Sequence, residues 1–198
     1  MQQDANIASK KAALRARMIS LRRSISEKSH HQMSMAITRY VMGLPEIVNA
    51  DHIHIYLSMS SHAEVDTAAI IEGLIALNKQ VSVPVIINHA LFSAVYHKND
   101  SIRSAQFGQP EPENVSIVDD SLLDVVLMPL LAFDNRGYRL GYGKGFYDAF
   151  LLRLSKQGIS PTRIGLAFSR QMTAKVPADP WDEVLDGVVH ENGILRFT

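Results

Sequence analysis

The sequence predicts an α/β fold: a three-layer α/β/α arrangement around a mostly parallel central sheet, with two helices ahead of the first strand. Three features predict it. From residue 51 onward, apolar segments of strand length alternate with segments of helical periodicity, the order that packs helices on both faces of a parallel sheet. One segment, "LLDVVLMPLLAF" (122–133), is nearly continuous apolar sequence, as a central strand covered on both faces requires. A chain of 198 residues can bury one sizeable core and is short for two, so a single domain spanning 1–198 is expected.

The elements follow in order. Leu14, Met18, Leu21 and Ile25 recur at i, i+4, i+7 and i+11, the stripe of a one-sided helix, with Lys11 and Arg15 one turn apart on its flank. Ser24 and Glu27 have capping-box spacing, and a second amphipathic helix through Met33, Ile37 and Val41 should stop at Gly43 and Pro45. "DHIHIYLS" (51–58) alternates Ile53, Ile55 and Leu57 with His52, His54 and Tyr56, a strand with unlike faces. Asp66 can cap a helix carrying Ile70, Ile71, Leu74 and Ile75; "QVSVPVII" (80–87) then supplies a strand whose Pro84 points to an edge or a bulge. "LFSAVYH" (91–97) reads as a further strand and "FGQPEPENVS" (107–116) as a loop. After the central strand, Phe146, Phe150, Leu151 and Leu154 resume helical spacing as far as Gly158. "RIGLAF" (163–168) is a short buried strand, and "GVVHENGILRF" (187–197) a terminal hairpin with Asn192 and Gly193 in its turn.

Composition narrows the function. Lys plus Arg and Asp plus Glu both number 20, so there is no global basic field of the kind that holds nucleic acid, and any anion site must be local. The absence of cysteine excludes disulfides, thiolate nucleophiles and Cys-based zinc sites, and fits a reducing compartment. The N-terminus has no apolar core of signal-peptide length, and no apolar run is long enough to span a bilayer. A cytoplasmic protein acting on small molecules, without nucleic-acid or membrane partners, is expected.

The chemistry concentrates in "FDNRGYRLGYGKGFYDAFL" (133–151), where a buried strand leads through a flexible loop to a helix start. A helix N-terminus carries unsatisfied N–H groups and the positive end of the backbone dipole; Gly141, Gly143 and Gly145 let backbone approach a phosphate without Cβ interference. Arg139 and Lys144 add positive charge, and Asp148 in the first turn is placed to hold a divalent cation bridging phosphate oxygens. The stretch is not a P-loop, because Gly145 rather than Ser or Thr follows Lys144. Nor is it the dinucleotide fingerprint, because Phe146 stands where its third glycine belongs. The plainer reading is a glycine-rich turn with Arg139 solvated and Asp148 a favourable first-turn acid, but three glycines at alternate positions with flanking charges exceed what a turn requires.

The longer stretch "MPLLAFDNRGYRLGYGKGFYDAFL" (128–151) closely resembles the motif of 5-formyltetrahydrofolate cyclo-ligases, also called methenyltetrahydrofolate synthetases. Their usual form is Pro-x-x-x-Phe-Asp, then Gly-x-Arg-Leu-Gly-x-Gly-[GK]-Gly-[YF]-Tyr-Asp. The resemblance continues in family order through "KKAALR", "IYLSM" followed by "AEVDT", and "VPADPWDEVLD", and so covers nearly the whole chain. It implies an isomerase/CoA-transferase-like version of the three-layer fold. It also implies conversion of 5-formyltetrahydrofolate to 5,10-methenyltetrahydrofolate with ATP as co-substrate and Mg²⁺ as cofactor, releasing ADP and phosphate. A formamide oxygen leaves poorly, so phosphorylating it lets N10 close onto the formyl carbon and expel phosphate. The protein's task is then to position two substrates and neutralise phosphoryl charge.

By the same resemblance the ATP phosphates lie against Arg139, Leu140, Gly141, Tyr142, Gly143, Lys144, Gly145, Phe146 and Tyr147, with catalytic duty for Arg139, Lys144 and Tyr147. Asp148 holds Mg²⁺; Asp179 is the best match for a second metal acid, with Asp182 as the alternative. Lys11 and Arg15 match a basic pair that contacts ATP, although by themselves they read as a solvated helix face. Leu57, Glu64, Tyr142 and Phe146 belong to the folate side, Glu64 because a carboxylate suits the donors of a pterin ring. Without the resemblance Glu64 reads as a helix-leading surface acid. Residues Ser60 to His62 lengthen this loop relative to some members of the family. Phe146, where many members have Tyr, keeps a ring but carries no proton.

Other features read as structural. His52 and His54 form an i, i+2 pair without a third ligand in sequence, and Trp181, the single tryptophan, reads as a packed cover. Two rivals are a non-catalytic sensor of nucleotides or sugar phosphates and a CoA transferase, but neither Glu64 nor Glu72 has the glycine-rich setting of a nucleophilic glutamate. A monomer or weak homodimer is expected.

Overall fold

The computed structural model describes residues 2–197, with side chains from residue 7 onward. Helix α1 (Gln2–Arg23) precedes α2 (Glu27–Met42). The cap of α2 is Ser26, whose Oγ accepts the Ser29 N–H at 3.3 Å, and not Ser24, whose hydroxyl turns back to the Leu21 carbonyl at the end of α1. Gly43 closes α2 as expected, but Pro45 opens a short α3 (Pro45–Asn49). In a first helical turn the missing N–H of proline is no loss, so three helices, rather than two, precede the first strand.

The main sheet has the order β11-β10-β9-β6-β1-β2-β3. Its strands β1 (His52–Ile55), β2 (Gln80–Ile87), β6 (Val125–Pro129), β9 (Thr162–Leu166) and β10 (Gly187–His190) pair in parallel. The edge strands β3 (Ala90–Val95) and β11 (Gly193–Arg196) run antiparallel to their neighbours. Strand β6 is central as its apolar run demands: Val125 and Leu127 enter one core cluster, Val126 and Met128 the other. Ile37 and Val41 of α2, with Ile70 and Leu74 of α4 (Ala68–Ala76), cover the first face. Phe150, Leu151 and Leu154 of α5 (Phe146–Lys156) cover the second. Burial of each such side chain favours folding by roughly 1.5–3 kcal/mol, so the pattern anchors α5 and with it the loop at its N-terminus.

Five local readings change. Both faces of β1 are buried, because helices cover it on either side; His52 and His54 are as enclosed as Ile53 and Ile55. Pro84 lies in the penultimate strand, but the β1–β2 register ends at His54 and Ser82, so on that side no partner awaits its missing N–H. The supposed loop around Pro110 contains β5 (Pro110–Pro112), which pairs with β4 (Ile102–Ser104) in a small separate hairpin. The apolar run of β6 breaks after Pro129, and β7 (Ala132–Phe133) pairs with β8 (Arg139–Leu140) in a second ribbon, packed under Met18 of α1. The terminal hairpin pairs His190 with Gly193, so its turn is Glu191–Asn192, one residue earlier than expected.

From β1 the chain crosses to β2 on one side, whereas β6 lies on the other. Connections leave the carboxyl ends of β1 and β6 in opposite directions, which opens a crevice where α/β sheets commonly bind ligands.

Candidate active site

At that crevice lies a cleft of about 1000 Å³. Its walls include Lys11 and Arg15 of α1, Leu57 and Glu64 after β1, Phe107 and Gln109 of the β4–β5 turn, Arg139 to Asp148, and Asp179 to Asp182. The structure thus brings every residue singled out from the sequence for ATP, folate or metal to one cavity.

The glycine loop runs from β8 into α5. Gly143 and Gly145 have φ of +93° and +69°, left-handed values that glycine adopts without strain. Gly145 is the N-cap of α5 and offers no side chain to its first-turn N–H groups, which leaves them for an anion. A Cβ at Gly141 or Gly145 would meet nothing within 4 Å, whereas one at Gly143 would press on the Arg15 guanidinium at 3.1 Å. A 3.0 Å hydrogen bond from Arg15 Nε to the Gly141 carbonyl holds α1 against the loop.

The charges here are paired. Arg139 is not a solvated cation: its side chain is 4% exposed, and it donates to Asp148 Oδ1 at 2.7 Å and to the Glu183 carbonyl at 2.5 Å. Burial pulls its pKa down, and Asp148 opposes the shift. Lys11 Nζ reaches Asp179 and Asp182 at 2.6 Å each. Burial alone would lower the Lys11 pKa, but the hydrogen bonds and charges of both aspartates outweigh it and raise the value. Lys11 and Arg15 are therefore parts of the cleft and not a solvated helix face. Asp182 Oδ2 also accepts the Asp179 N–H at 2.9 Å, so Asp182 is committed to its own turn more than Asp179 is. Among the described residues no three His, Cys, Asp or Glu side chains cluster as a metal cage.

On the opposite wall Glu64 is 3% exposed, not a surface acid. Residues Ser60–His62 form a 3₁₀ turn ending in left-handed Ala63, which folds the chain back so that Glu64 Oε2 accepts the Met59 N–H at 2.8 Å. Its Oε1 accepts the Tyr142 hydroxyl, which in turn accepts from Arg22 Nη2 at 2.7 Å. Burial first, and Glu64 second, push the Tyr142 hydroxyl pKa upward, and the same two causes raise that of Tyr147; both phenols keep their protons. Tyr147 sits 3.5 Å from His54 Nε2, whose ring is otherwise tied to Ser93 Oγ at 2.8 Å. Burial drives the His54 pKa down to about 3, so the ring is neutral.

Phe146 lies 5.5 Å from Phe107, ring centre to ring centre, and Lys144 Nζ stands 4.9 Å above the Phe107 ring. Phe107, Gln109 and Arg22 were not singled out from sequence. Phe107 is hidden in a Gly/Pro-rich segment, but Arg22 follows Arg15 by seven positions, two helical turns on the same face. Trp181 is 67% exposed on the cleft wall and is not a packed cover.

Residues 7–191 match the 5-formyltetrahydrofolate cyclo-ligase family. The chain is 32% identical over 178 residues to the 5-formyltetrahydrofolate cyclo-ligase of Haemophilus influenzae, spanning 87% of this chain and 93% of that one. It is 30% identical over 181 residues to the Escherichia coli enzyme of the same name, spanning 89% and 97%. The NMR structure of 5,10-methenyltetrahydrofolate synthetase from Aquifex aeolicus superposes with a TM-score of 0.80 at 28% identity, covering 94% of this chain and 92% of that one. The corresponding Mycoplasma pneumoniae structure shares the fold, with a TM-score of 0.73 at 24% identity over 91% and 98%. Matched along nearly its whole length, the chain belongs to the 5-formyltetrahydrofolate cyclo-ligase family.

Proposed function

We propose that the cleft between α1, the glycine loop and the Glu64 loop is where this cyclo-ligase closes 5-formyltetrahydrofolate to 5,10-methenyltetrahydrofolate at the expense of ATP. The observation that carries this reading is the division of one cavity into two chemistries. One half offers free helix N–H groups, glycines and cations; the other offers a buried carboxylate and aromatic rings. Polyphosphate suits the first half and a planar pterin with N–H donors the second.

In this arrangement Gly141 to Gly145 and the first turn of α5 receive the phosphates, and Lys144 and Arg15 balance their charge. Arg139 is held rigid by Asp148 and the Glu183 carbonyl, and stabilises charge that develops on the transferring group without reorganising. Glu64 takes the ring donors while Leu57, Phe107 and Phe146 enclose the ring. The formyl oxygen receives the γ-phosphoryl group as the bond to ADP breaks; N10 then adds to the formyl carbon and gives up its proton, and the C–O bond breaks to release phosphate, which can carry that proton away. The Tyr147 hydroxyl keeps its proton and serves as a hydrogen-bond donor at this junction. Every residue given a role here lies in a single domain.

Magnesium fits the donors present. This ion is ordinarily held by one or two carboxylates, with water and substrate phosphates completing the shell. Asp148 is 35% exposed with only one oxygen engaged by Arg139, and Asp179 is less committed than Asp182. Asp148 and Asp179 would hold the ion, which would neutralise phosphate charge. Until then Lys11 balances the acid pair.

The test is a joint product measurement. With 5-formyltetrahydrofolate, ATP and Mg²⁺, the near-ultraviolet band of the methenyl product should rise one for one with ADP. Binding of both ligands without product would instead support the nucleotide-sensor reading.

A further inference from the structure

One buried charge has no part in the reaction as described. Arg22, near the end of α1, is 2% exposed. It donates to the Leu130 carbonyl at 3.3 Å and to the Tyr142 hydroxyl at 2.7 Å, and its Nε is buried without a partner. Among the described residues no carboxylate touches it. A guanidinium stays charged in any folded protein, and burying it without a counter-charge is unfavourable. The carboxylate its hydrogen bonds lead to is Glu64, one phenol away.

The phenol makes this link directional. Tyr142 has one proton; because its oxygen accepts from Arg22, it turns that proton onto Glu64 Oε1. With Met59 N–H on Oε2, both oxygens are fixed from behind and the remaining lone pairs are left for a ligand. Without Arg22, the hydroxyl can rotate or take water, and Glu64 loses both its aligned donor and the positive charge behind it. The nucleotide side has other anchors: Arg15 on the Gly141 carbonyl, and Arg139 on Asp148.

We propose that Arg22 is a positioning residue for the folate half of the site, acting through Tyr142 to orient the Glu64 carboxylate without touching the substrate. The inference rests on the reading of Glu64 as the pterin-binding acid. It assigns α1 a second duty: Lys11 and Arg15 serve the nucleotide from one end of the helix, and Arg22 serves the folate from the other.

The experiment is a double-mutant cycle on the full chain. Arg22→Met, Tyr142→Phe, the combined variant and Glu64→Gln are compared by Michaelis constants for 5-formyltetrahydrofolate and ATP, alongside thermal unfolding. Loss of a charge-assisted link should raise the folate constant about tenfold in each single variant and leave the ATP constant within about twofold. The combined variant should be no worse than the weaker-binding single one, because the two residues act in series. Effects that multiply, or an ATP constant that rises as much as the folate constant, would overturn the inference and leave Arg22 a structural residue. If Glu64→Gln leaves the folate constant unchanged, the pterin reading fails; if Glu64→Gln raises it and Arg22→Met does not, only the role of Arg22 fails. Should Arg22→Met not fold, Arg22→Gln replaces it: its amide can still donate to Tyr142 but carries no charge, so the folate constant should rise by about threefold, less than in Tyr142→Phe, with the ATP constant within about twofold, and a folate constant that does not rise selectively would overturn the inference.

Discussion

Replacing Gly143 and Gly141 separately by valine sets the loop's backbone conformation against the space it leaves for phosphate. At Gly143 the φ of +93° is strained for any L side chain, and the new Cβ would lie 3.1 Å from Arg15 Cζ and 3.2 Å from Nε. Strain of roughly 1–3 kcal/mol, plus about 0.5–1.5 kcal/mol if Arg15 is pushed off the Gly141 carbonyl, sums to about 1.5–4.5 kcal/mol. For a chain of this size that is a fall in Tm of roughly 5–15 °C, with the protein still folded at 25 °C. At Gly141 φ is not left-handed and a Cβ meets nothing within 4 Å, so stability should change by no more than about 0.5 kcal/mol. That open space is the cleft itself, and a branched side chain there should weaken ATP binding by at least about tenfold. Thermal unfolding and calorimetric titration with ATP-Mg, on one preparation of each variant, separate the two effects. A Gly141→Val protein that is as stable as the parent and binds ATP-Mg equally well would refute the argument that these glycines make room for phosphate.

Other consequences can be measured alongside. Asp148→Asn should lower turnover at least about a hundredfold at ordinary Mg²⁺ while the fold survives, since Arg139 keeps the Glu183 carbonyl; near-normal rates would remove the metal role. Asp179→Asn should raise the Mg²⁺ requirement more than Asp182→Asn, and the reverse order would exchange their roles. His54 has a folded-state pKa pushed from 6.5 to about 3, so between those values the unfolded chain binds a proton that the folded one refuses. Stability from this residue is therefore complete above pH 6.5 and is lost on acidification, by about 2 kcal/mol at pH 5. Urea unfolding at both pH values should show a smaller loss in His54→Gln, and an equal loss would contradict the assignment. Trp181, the single tryptophan, stands exposed beside Asp179 and Asp182, so its fluorescence should change on adding ATP-Mg and stay constant in buffer alone.

The sequence carried the fold where burial sets a period. The two-sided apolar run as far as Pro129, the 3.6-residue stripe of α5 and, to within one residue at its turn, the hairpin of β10 and β11 stand where the pattern puts them, because a wrong face would expose apolar surface. It misled where local chemistry admits two outcomes: Pro45 can end one helix or begin the next, and only the packing of Ile47 in the core decides. For the site, contiguous residues such as Gly141 to Asp148 were legible because one turn of chain delivers them together. Arg22, Tyr142 and Glu64 come from three distant segments, and no spacing in sequence announces that a phenol joins a buried cation to a buried acid. Phe107 was missed because the hairpin that aims it at Phe146 is held by Glu111, which binds the Ile86 N–H and the Gln109 amide, contacts invisible to local pattern.

The most direct measurement follows the oxygen. If the formyl oxygen is phosphorylated in this cleft before N10 closes the ring, turnover of 5-formyltetrahydrofolate labelled with ¹⁸O at the formyl group should place the label in inorganic phosphate, one atom per methenyl product formed. Label appearing in water, with unlabelled phosphate released from ATP, would mean that ATP is hydrolysed apart from the ring closure, and would contradict the account.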